Sequence, residues 1–263
     1  MKHFYLFLLI FVLQYPAYGQ DIGHQHGHLQ KMKEKMSNYG EMQSLDELGS
    51  RPFPENRSPL VVPKDIGQSP EWMWSMHFGG SGTDYGRQII SDEEGNIYVA
   101  GSFSGEISID GQPYTTTGMR EGFVAKWDAN QNLVWFQKIT AEPHEHTAFY
   151  DLTRDASGNI YATGEFSGTI QVEEETLMGA GQKNLFFVKL NKTGNLMMAG
   201  SYETTKPQTQ GMKIKAGSGE NFYILARSDS CSLMKFDQSG RLLWEIRENE
   251  YFGDIELVED QIY

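Results

Sequence analysis

The histidines of this sequence are its best candidates for metal chemistry. Three of them, His24, His26 and His28, alternate with other residues near the N-terminus. Because alternate side chains of an extended chain project to the same side, these three imidazoles could together hold Zn²⁺, Cu²⁺ or Ni²⁺, metals for which imidazole is a suitable ligand. The alternative is a hydrophilic tail that binds no metal, since a flexible segment would lose conformational entropy on binding.

A second group lies further along the chain, at His144, Glu145 and His146. Two histidines separated by one residue can point the same way in an extended segment, and Asp84 could add a carboxylate ligand from a preceding loop. The alternatives are a solvated polar loop for the histidines and a turn cap after Gly82 for Asp84. Asp84 and Glu145 are also candidates to contact a ligand of another kind. We predict no organic cofactor, so a divalent metal at these histidines is the one cofactor hypothesis.

Composition and charge exclude several classes of function. The chain has 263 residues, 22 basic and 35 acidic side chains, and a net charge of −13. Its single cysteine, Cys231, excludes an intramolecular disulfide framework and any multi-cysteine metal site. An acidic chain without a basic cluster is a poor partner for nucleic acid or an anionic membrane, because both are bound through Lys and Arg. No Ser/His/Asp set, paired-carboxylate array or phosphate-binding loop recurs in the sequence, so an enzyme is the less favoured class.

The N-terminus has the features of an export signal. Lys2 precedes the apolar run 4–13, and a small-x-small cleavage pattern ends at Gly19, so residues 1–19 are predicted to be a signal peptide. The run is shorter than the roughly 20 residues that span a bilayer, and we expect no transmembrane segment in the mature chain. Residues 20–70, rich in His and Pro, are predicted to be an irregular polar spacer. The protein is expected to be secreted, or held at the cell surface or in the periplasm.

The remainder of the sequence repeats itself. Residues 92–105 recur as residues 155–168, and residues 123–128 recur as residues 186–191, both at an offset of 63. A third copy lacks 16 residues between its two matching blocks, and a partial fourth copy begins near Asp254. Self-similarity at a fixed period indicates a repeat architecture in which each unit packs on its neighbours.

Each full unit is predicted to contain four strands. In the first unit they are the β-branched and aromatic runs 87–91, 97–103, 123–127 and 133–139, separated by turn residues. Four-stranded antiparallel units with a period of about 40 to 65 residues indicate a β-propeller. We therefore predict an all-β fold, a β-propeller that is incomplete, with three four-stranded antiparallel blades and partial strands of a fourth. This domain is expected at 71–263, with units near 72–139, 140–201, 202–249 and, in part, 250–263.

Specific motifs add a resemblance to a known family. The stretches 79–84, 95–105 and 123–126, together with Trp135, resemble the secreted bacterial SBBP-type β-propeller repeat. The resemblance extends over residues 72–263, fits best in the first copy and keeps only the skeleton of the pattern in the third. It implies an extracellular propeller without established catalytic residues, so it supplies no site to carry over.

The long connections of the predicted blades are the expected binding surface. The second-to-third strand connections and the inter-blade connections are long and share one face, the long-loop face, whereas the other connections are tight turns. Loops on a rigid scaffold are the usual place for binding. The sequence therefore predicts a non-enzymatic secreted binding or scaffold module whose partner is an extracellular protein or carbohydrate. Two alternatives stay open: an exported propeller enzyme whose active site is completed by blades absent from this chain, and a structural or metal-sequestering envelope protein.

Overall fold

The repeated apolar runs of the sequence form three four-stranded antiparallel sheets. The computed structural model describes residues 79–180, 182–202, 208–249, 253–258 and 261–262. The predicted signal peptide, the predicted spacer and residues 71–78 at the start of the predicted propeller lie outside the described residues. Throughout the part that is described, no helical segment has the length and apolarity that crossing a bilayer requires.

Blade 1 contains the first six strands. They are β1 (Tyr85–Ser91), β2 (Ile97–Phe103), β3 (Glu106–Ile109), β4 (Gln112–Thr115), β5 (Glu121–Trp127) and β6 (Leu133–Lys138). The sheet has the order β1-β2-β5-β6, with antiparallel pairing throughout. Strands β3 and β4 form a separate hairpin within the connection from the second to the third strand of the sheet.

Blade 2 repeats this arrangement and adds one short strand. Its strands are β7 (Thr140–Ala141), β8 (Thr147–Arg154), β9 (Ile160–Phe166), β10 (Thr169–Val172), β11 (Glu175–Met178), β12 (Asn184–Leu190) and β13 (Leu196–Tyr202). The sheet has the order β8-β9-β12-β13, and the β10-β11 hairpin also pairs with β7 in the connection that leads from blade 1. The hairpins of both blades stand where the sequence predicted long loops.

Blade 3 is the shortened copy. Its strands are β14 (Gln210–Ala216), β15 (Phe222–Arg227), β16 (Cys231–Phe236) and β17 (Leu242–Glu248), which pair in chain order. Only residues 228–230 connect β15 to β16, so the 16 residues missing from this copy are those that form the extra hairpin in blades 1 and 2. A two-stranded piece, β18 (Leu257–Val258) and β19 (Gln261–Ile262), follows.

The core lies between the blades as well as within them. One cluster of buried side chains joins blade 1 to blade 2, for example Val124 and Trp135 with Phe149 and Phe186. A second cluster joins blade 2 to blade 3 through residues such as Phe187. Because the sheet of blade 2 is covered on both faces, by blades 1 and 3, its central strands β9 and β12 are buried along their full length. This face-to-face stacking is the packing expected of propeller blades.

The outer strand of one blade contacts a turn of the next blade. The indole of Trp135 lies against Gly194 of blade 2, and its Nε1 donates to the carbonyl of Lys192 at 3.2 Å. One repeat later, Met198 lies against Gly240 of blade 3 in the same way. The same turn position therefore joins each blade to its predecessor at both interfaces.

Beyond blade 3, the last described residues begin another unit. Ile255 is buried, and Leu257 and Ile262 pack with it against a cluster that includes Tyr223 and Cys231 of blade 3. The described chain is thus three full blades plus a two-stranded piece, and it does not close into a ring. The predicted all-β, incomplete propeller of four-stranded antiparallel blades is confirmed.

Candidate binding site on the long-loop face

A buried carboxylate lies in blade 2 at the long-loop end, the end of the strands that adjoins the long-loop face. Glu165 is the second-to-last residue of β9, and its side chain is 1% exposed. Its partners in strand register are the apolar residues Ala148 and Leu185. A charge buried in such surroundings is strongly unfavourable unless it is paired and hydrogen-bonded. The contacts of Glu165 must therefore offset the free-energy cost of burying its charge.

Side chains from all three blades reach Glu165. Arg120 directly precedes β5 of blade 1, and its Nη2 donates to Glu165 Oε1 at 2.9 Å. Lys183 directly precedes β12 of blade 2, and its Nζ lies 3.0 Å from Oε2. Gln210 begins β14 of blade 3, and its Nε2 also donates to Oε2. One carboxylate thus joins the three blades at one point.

Two further groups of blade 2 complete the surroundings of this carboxylate. His146 Nε2 lies 3.5 Å from Glu165 Oε1, and its Nδ1 lies 3.0 Å from the hydroxyl of Ser167. Tyr150 is the second group, and its side chain favours the ionised form of Glu165. We call the resulting group the Glu165 cluster: Arg120, His146, Tyr150, Glu165, Lys183 and Gln210.

The protonation states of the cluster follow from these contacts. Burial by itself raises the pKa of Glu165, but the hydrogen bonds from His146, Lys183 and other members outweigh it and hold that pKa well below its usual range. Burial and the neighbouring carboxylate raise the pKa of Tyr150 well above its usual value. At neutral pH the cluster therefore holds an ionised glutamate and a neutral tyrosine.

Arg87 adds a third basic side chain beside the cluster. Its guanidinium lies 4.7 Å from the ring centroid of Tyr85 and 5.3 Å from that of Tyr150, distances at which a cation is attracted to the ring face. Arg87 and Tyr150 each sit at a register shift in the first strand of their blade. A bulge of this kind redirects a side chain out of the regular alternation of a strand. The two bulges therefore bring Arg87 and Tyr150 together.

The two cations that contact Glu165 are related by the repeat, whereas Glu165 is unique. Arg120 and Lys183 lie 63 residues apart and hold the same position before the third strand of their blades. The positions equivalent to Glu165 are Ser102 in blade 1 and Arg227 in blade 3, which pair with Tyr85 and Gln210 as Glu165 pairs with Ala148. The site therefore combines a basic residue that repeats in blades 1 and 2 with a carboxylate that is present only in blade 2.

The structure brings one of the predicted site residues into this cluster. His146 belongs to it, whereas His144 is exposed and adopts a left-handed backbone conformation with φ of 71°. The backbone N–H of Glu145 donates to the carbonyl of Glu142 at 3.0 Å, which closes the turn between them. The two histidines thus have different surroundings, and it is His146 that lies beside the buried carboxylate.

Asp84 lies in a turn at the start of blade 1. Its side chain is nearly buried, and its Oδ2 accepts the backbone N–H of Gly80 at 2.8 Å. Burial raises its pKa, although that hydrogen bond opposes the rise. This contact joins Asp84 to the start of the turn that contains Gly82, and ligand binding by Asp84 stays a prediction.

The metal hypothesis is not tested by these contacts. Within the described ranges, no three His, Cys, Asp or Glu side chains are grouped so that they could hold a metal ion. His24, His26 and His28 lie outside the described residues. Metal binding by either histidine group stays a prediction.

Sequence reasoning missed most of the Glu165 cluster. One signal for it was a charged residue inside the apolar strand 160–166, at a position where the preceding copy has Ser102. A second signal was the basic residue retained at Arg120 and Lys183. Neither signal reveals that the three side chains meet, because that depends on how the blades stack.

Comparison with known proteins agrees with the strand architecture. Residues 74–102 match the SBBP family, a beta-propeller repeat. The SBBP match includes β1 and most of β2 of blade 1, the copy in which the sequence resemblance is best. The expected recognition of this repeat is confirmed for these residues.

Two further similarities are more distant. The chain is 26% identical over 123 residues to an uncharacterized WD repeat-containing protein of Acanthamoeba polyphaga mimivirus, a match that covers 40% of this chain and 9% of that protein. A solved structure of a protein of unknown function from Bacteroides caccae has a TM-score of 0.43 at 12% identity, and the match covers 66% of this chain and 50% of that one. The chain thus spans a small part of the viral protein and half of the bacterial one.

Proposed function

We propose that this protein is an exported, non-enzymatic binding or scaffold module whose long-loop face contacts an extracellular protein or carbohydrate. One observation carries the proposal: polar side chains from all three blades converge at the long-loop end, where Arg120, His146 and Lys183 are partly exposed. Convergent polar groups on a rigid scaffold are the usual form of a binding site.

The state of Glu165 favours binding over catalysis. A general acid or base needs a pKa near the working pH and access to the reacting atom. Glu165 is buried, its pKa is held well below the usual range, and both of its oxygens already accept hydrogen bonds. In this role the carboxylate orients the cations around it, and the exposed parts of those cations face the ligand.

The export part of the proposal rests on the N-terminal sequence. Residues 1–19 have the charge, apolar run and cleavage pattern of a signal peptide. An extracellular ligand is consistent with this predicted export.

The extra hairpins offer a direct test. Residues 106–115, which form the β3-β4 hairpin, would be replaced by a short turn like residues 228–230 of blade 3. We expect the variant with the replaced hairpin to lose the binding that the natural protein shows on a combined glycan and peptide array. The matched control replaces residues 129–131 in a tight turn at the opposite end of blade 1 with Gly-Ser-Gly.

The outcome depends on both variants remaining folded, which a thermal unfolding transition checks. Loss of binding in the hairpin variant, together with retention in the turn variant, supports the long-loop face. An unchanged binding profile in a folded hairpin variant contradicts the proposal.

A further inference from the structure

The Glu165 cluster has more positive than negative charge. Arg120 and Lys183 contact the one ionised carboxylate of the cluster, Glu165, and Arg87 adds a further positive charge beside Tyr150. The adjacent buried carboxylate, Glu121, does not reduce this excess, because Lys138 Nζ lies 2.5 Å from it. A local excess of positive charge is unusual on a chain whose net charge is −13, and it concentrates anions at this end of the blades.

The cations also have more donors than Glu165 can use. A guanidinium has five N–H donors and an ammonium has three. Arg120 uses Nη2 for Glu165, and its Nε is buried, so the donors that it can offer to a ligand are its remaining terminal N–H groups. The side chains of Arg120 and Lys183 are 27% and 37% exposed. Their remaining donors can therefore meet a group that arrives from solvent.

The positions of these cations are fixed before any ligand binds. Glu165 holds Arg120 and Lys183 from one side, and the rings of Tyr85 and Tyr150 hold Arg87. Stacking on a ring face leaves the N–H groups at the edge of the guanidinium free to donate. Such preorganisation lowers the entropy lost on binding. Planar guanidinium groups also match the geometry of carboxylate oxygens.

We propose that Arg87, Arg120 and Lys183 bind the carboxylate or sulfate groups of an acidic oligosaccharide. This inference rests on the proposed function of the long-loop face and names its ligand class. The groups that line the site are side-chain N–H and O–H donors beside tyrosine rings, a composition that suits anionic and hydroxyl groups of sugars. Clusters of arginines also recognise acidic peptides, so an acidic peptide is the competing ligand, and the oligo-glutamate probe tests it.

Calorimetric titration of the purified protein with defined probes tests this inference. An oligogalacturonate supplies carboxylates, a sulfated dextran oligosaccharide supplies sulfates, and unmodified dextran and an oligo-glutamate peptide are the comparison probes. We expect at least one acidic oligosaccharide to bind more tightly than both comparison probes and to weaken as salt rises, because the attraction is between charges.

Substitutions locate the binding. Lys183→Gln and Arg87→Gln are each expected to weaken binding of the acidic oligosaccharide about tenfold, the loss of one charge-assisted contact. Lys183→Arg, which retains the charge, is expected to weaken it less than Lys183→Gln. Lys192→Gln is the matched control, since it removes the same charge from an exposed turn at the opposite end of blade 2. Thermal unfolding confirms that each variant is folded.

Several results would overturn the inference. They are tighter binding of oligo-glutamate than of either acidic oligosaccharide, no binding of any acidic oligosaccharide, or equal losses from Lys183→Gln and Lys192→Gln. If the protein instead binds a neutral array ligand in a hairpin-dependent manner, the proposed function stands and only the acidic ligand class fails.

Discussion

The two ends of the blades differ in how they use the repeat. At the short-turn end, every turn from the third to the fourth strand begins with Asp or Asn, whose side-chain oxygen accepts backbone N–H groups two and four residues later. These residues are Asp128, Asn191 and Asp237. At the long-loop end, one equivalent position holds Ser102, Glu165 and Arg227 in the three blades. The first end repeats one arrangement in all three blades, whereas this position at the second end differs in every blade.

A row of side chains across each sheet repeats as well. The Lys of the third strand lies 5.0 or 5.1 Å from the ring centroid of the Tyr in the second strand, in the pairs Lys126–Tyr98, Lys189–Tyr161 and Lys235–Tyr223. Local turns and adjacent-strand contacts recur because each blade satisfies them by itself. At the long-loop end, Glu165 instead joins side chains of three blades, and the equivalent positions Ser102 and Arg227 carry side chains of other types.

Among the substitutions that compare the two ends, removal of the buried carboxylate at the long-loop end should reduce the unfolding free energy most. Glu165→Ala leaves the partly exposed side chains of Arg120 and Lys183 without their common partner. We therefore expect a loss of about 3 kcal/mol of unfolding free energy, the lower end of the range for breaking a buried ion pair. Urea denaturation measures the change. The control is Glu174→Ala in the exposed turn of the β10-β11 hairpin, where we expect a change within about 0.5 kcal/mol. Equal effects of the two substitutions would show that the cluster does not hold the blades together.

A substitution at the short-turn end should have a smaller effect. In Gly194→Ala the new Cβ would lie 2.8 Å from the indole of Trp135, so the side chain or the turn must move. We expect a loss of about 1–3 kcal/mol, the range for overpacking, measured by the same denaturation.

Positive φ contributes to this loss and must be separated from the clash. Gly111→Ala is the matched control, since Gly111 also has positive φ but a Cβ added there would meet no atom within 4 Å. The difference between the two variants isolates the contact with Trp135. If both variants lose the same stability, docking of the indole on this turn does not join blade 1 to blade 2.

The smallest expected change in unfolding free energy comes from a substitution at Asp151, away from both ends of the blades, and it is a stabilisation. Asp151 is buried between blades 2 and 3, its Oδ2 accepts the backbone N–H of Ile214 at 2.9 Å, and its Oδ1 has no partner in the described structure. Burial raises its pKa to about 6, against the opposing effects of that hydrogen bond and of Lys213. The folded protein therefore binds a proton here more tightly than the unfolded chain does.

The sign of the pH dependence follows from that raised pKa. Stability from this group is fully present below pH 3.8, its ordinary pKa, and is lost as pH rises through about 6. Asp151→Asn removes the buried charge, and a shift of this size corresponds to about 3 kcal/mol at pH 8. Because the substitution also weakens the charge-assisted hydrogen bond from Ile214, we expect a net stabilisation of about 1–2 kcal/mol at pH 8 and little difference near pH ~3.5. Denaturation at both pH values measures this, with Asp110→Asn in an exposed turn as the control. A stability difference that is the same at both pH values would contradict the assignment.

Strand positions were predictable because their signals are local. The runs 97–103 and 123–127 were predicted from their β-branched and aromatic residues and the turn residues that flank them, and β2 (Ile97–Phe103) and β5 (Glu121–Trp127) match them closely. The hairpins were not predicted, since four-residue strands such as Glu106–Ile109 give too short a pattern to distinguish from a loop. The position of Trp135 within the repeat could be read from the sequence. Its contact with Gly194 could not, because that contact depends on how blade 1 packs on blade 2.

The sequence by itself determined the repeat, the four strands in each unit, the turns and the end of the blades that has long connections. Each of these depends on residues close together in the chain or on a period that can be read directly. The tertiary structure alone decided that Arg120, Lys183 and Gln210 meet at Glu165. Gln210 lies 45 residues from Glu165 in the sequence, as does Arg120 on the other side, and only the stacking of three blades brings such distant residues within hydrogen-bonding distance.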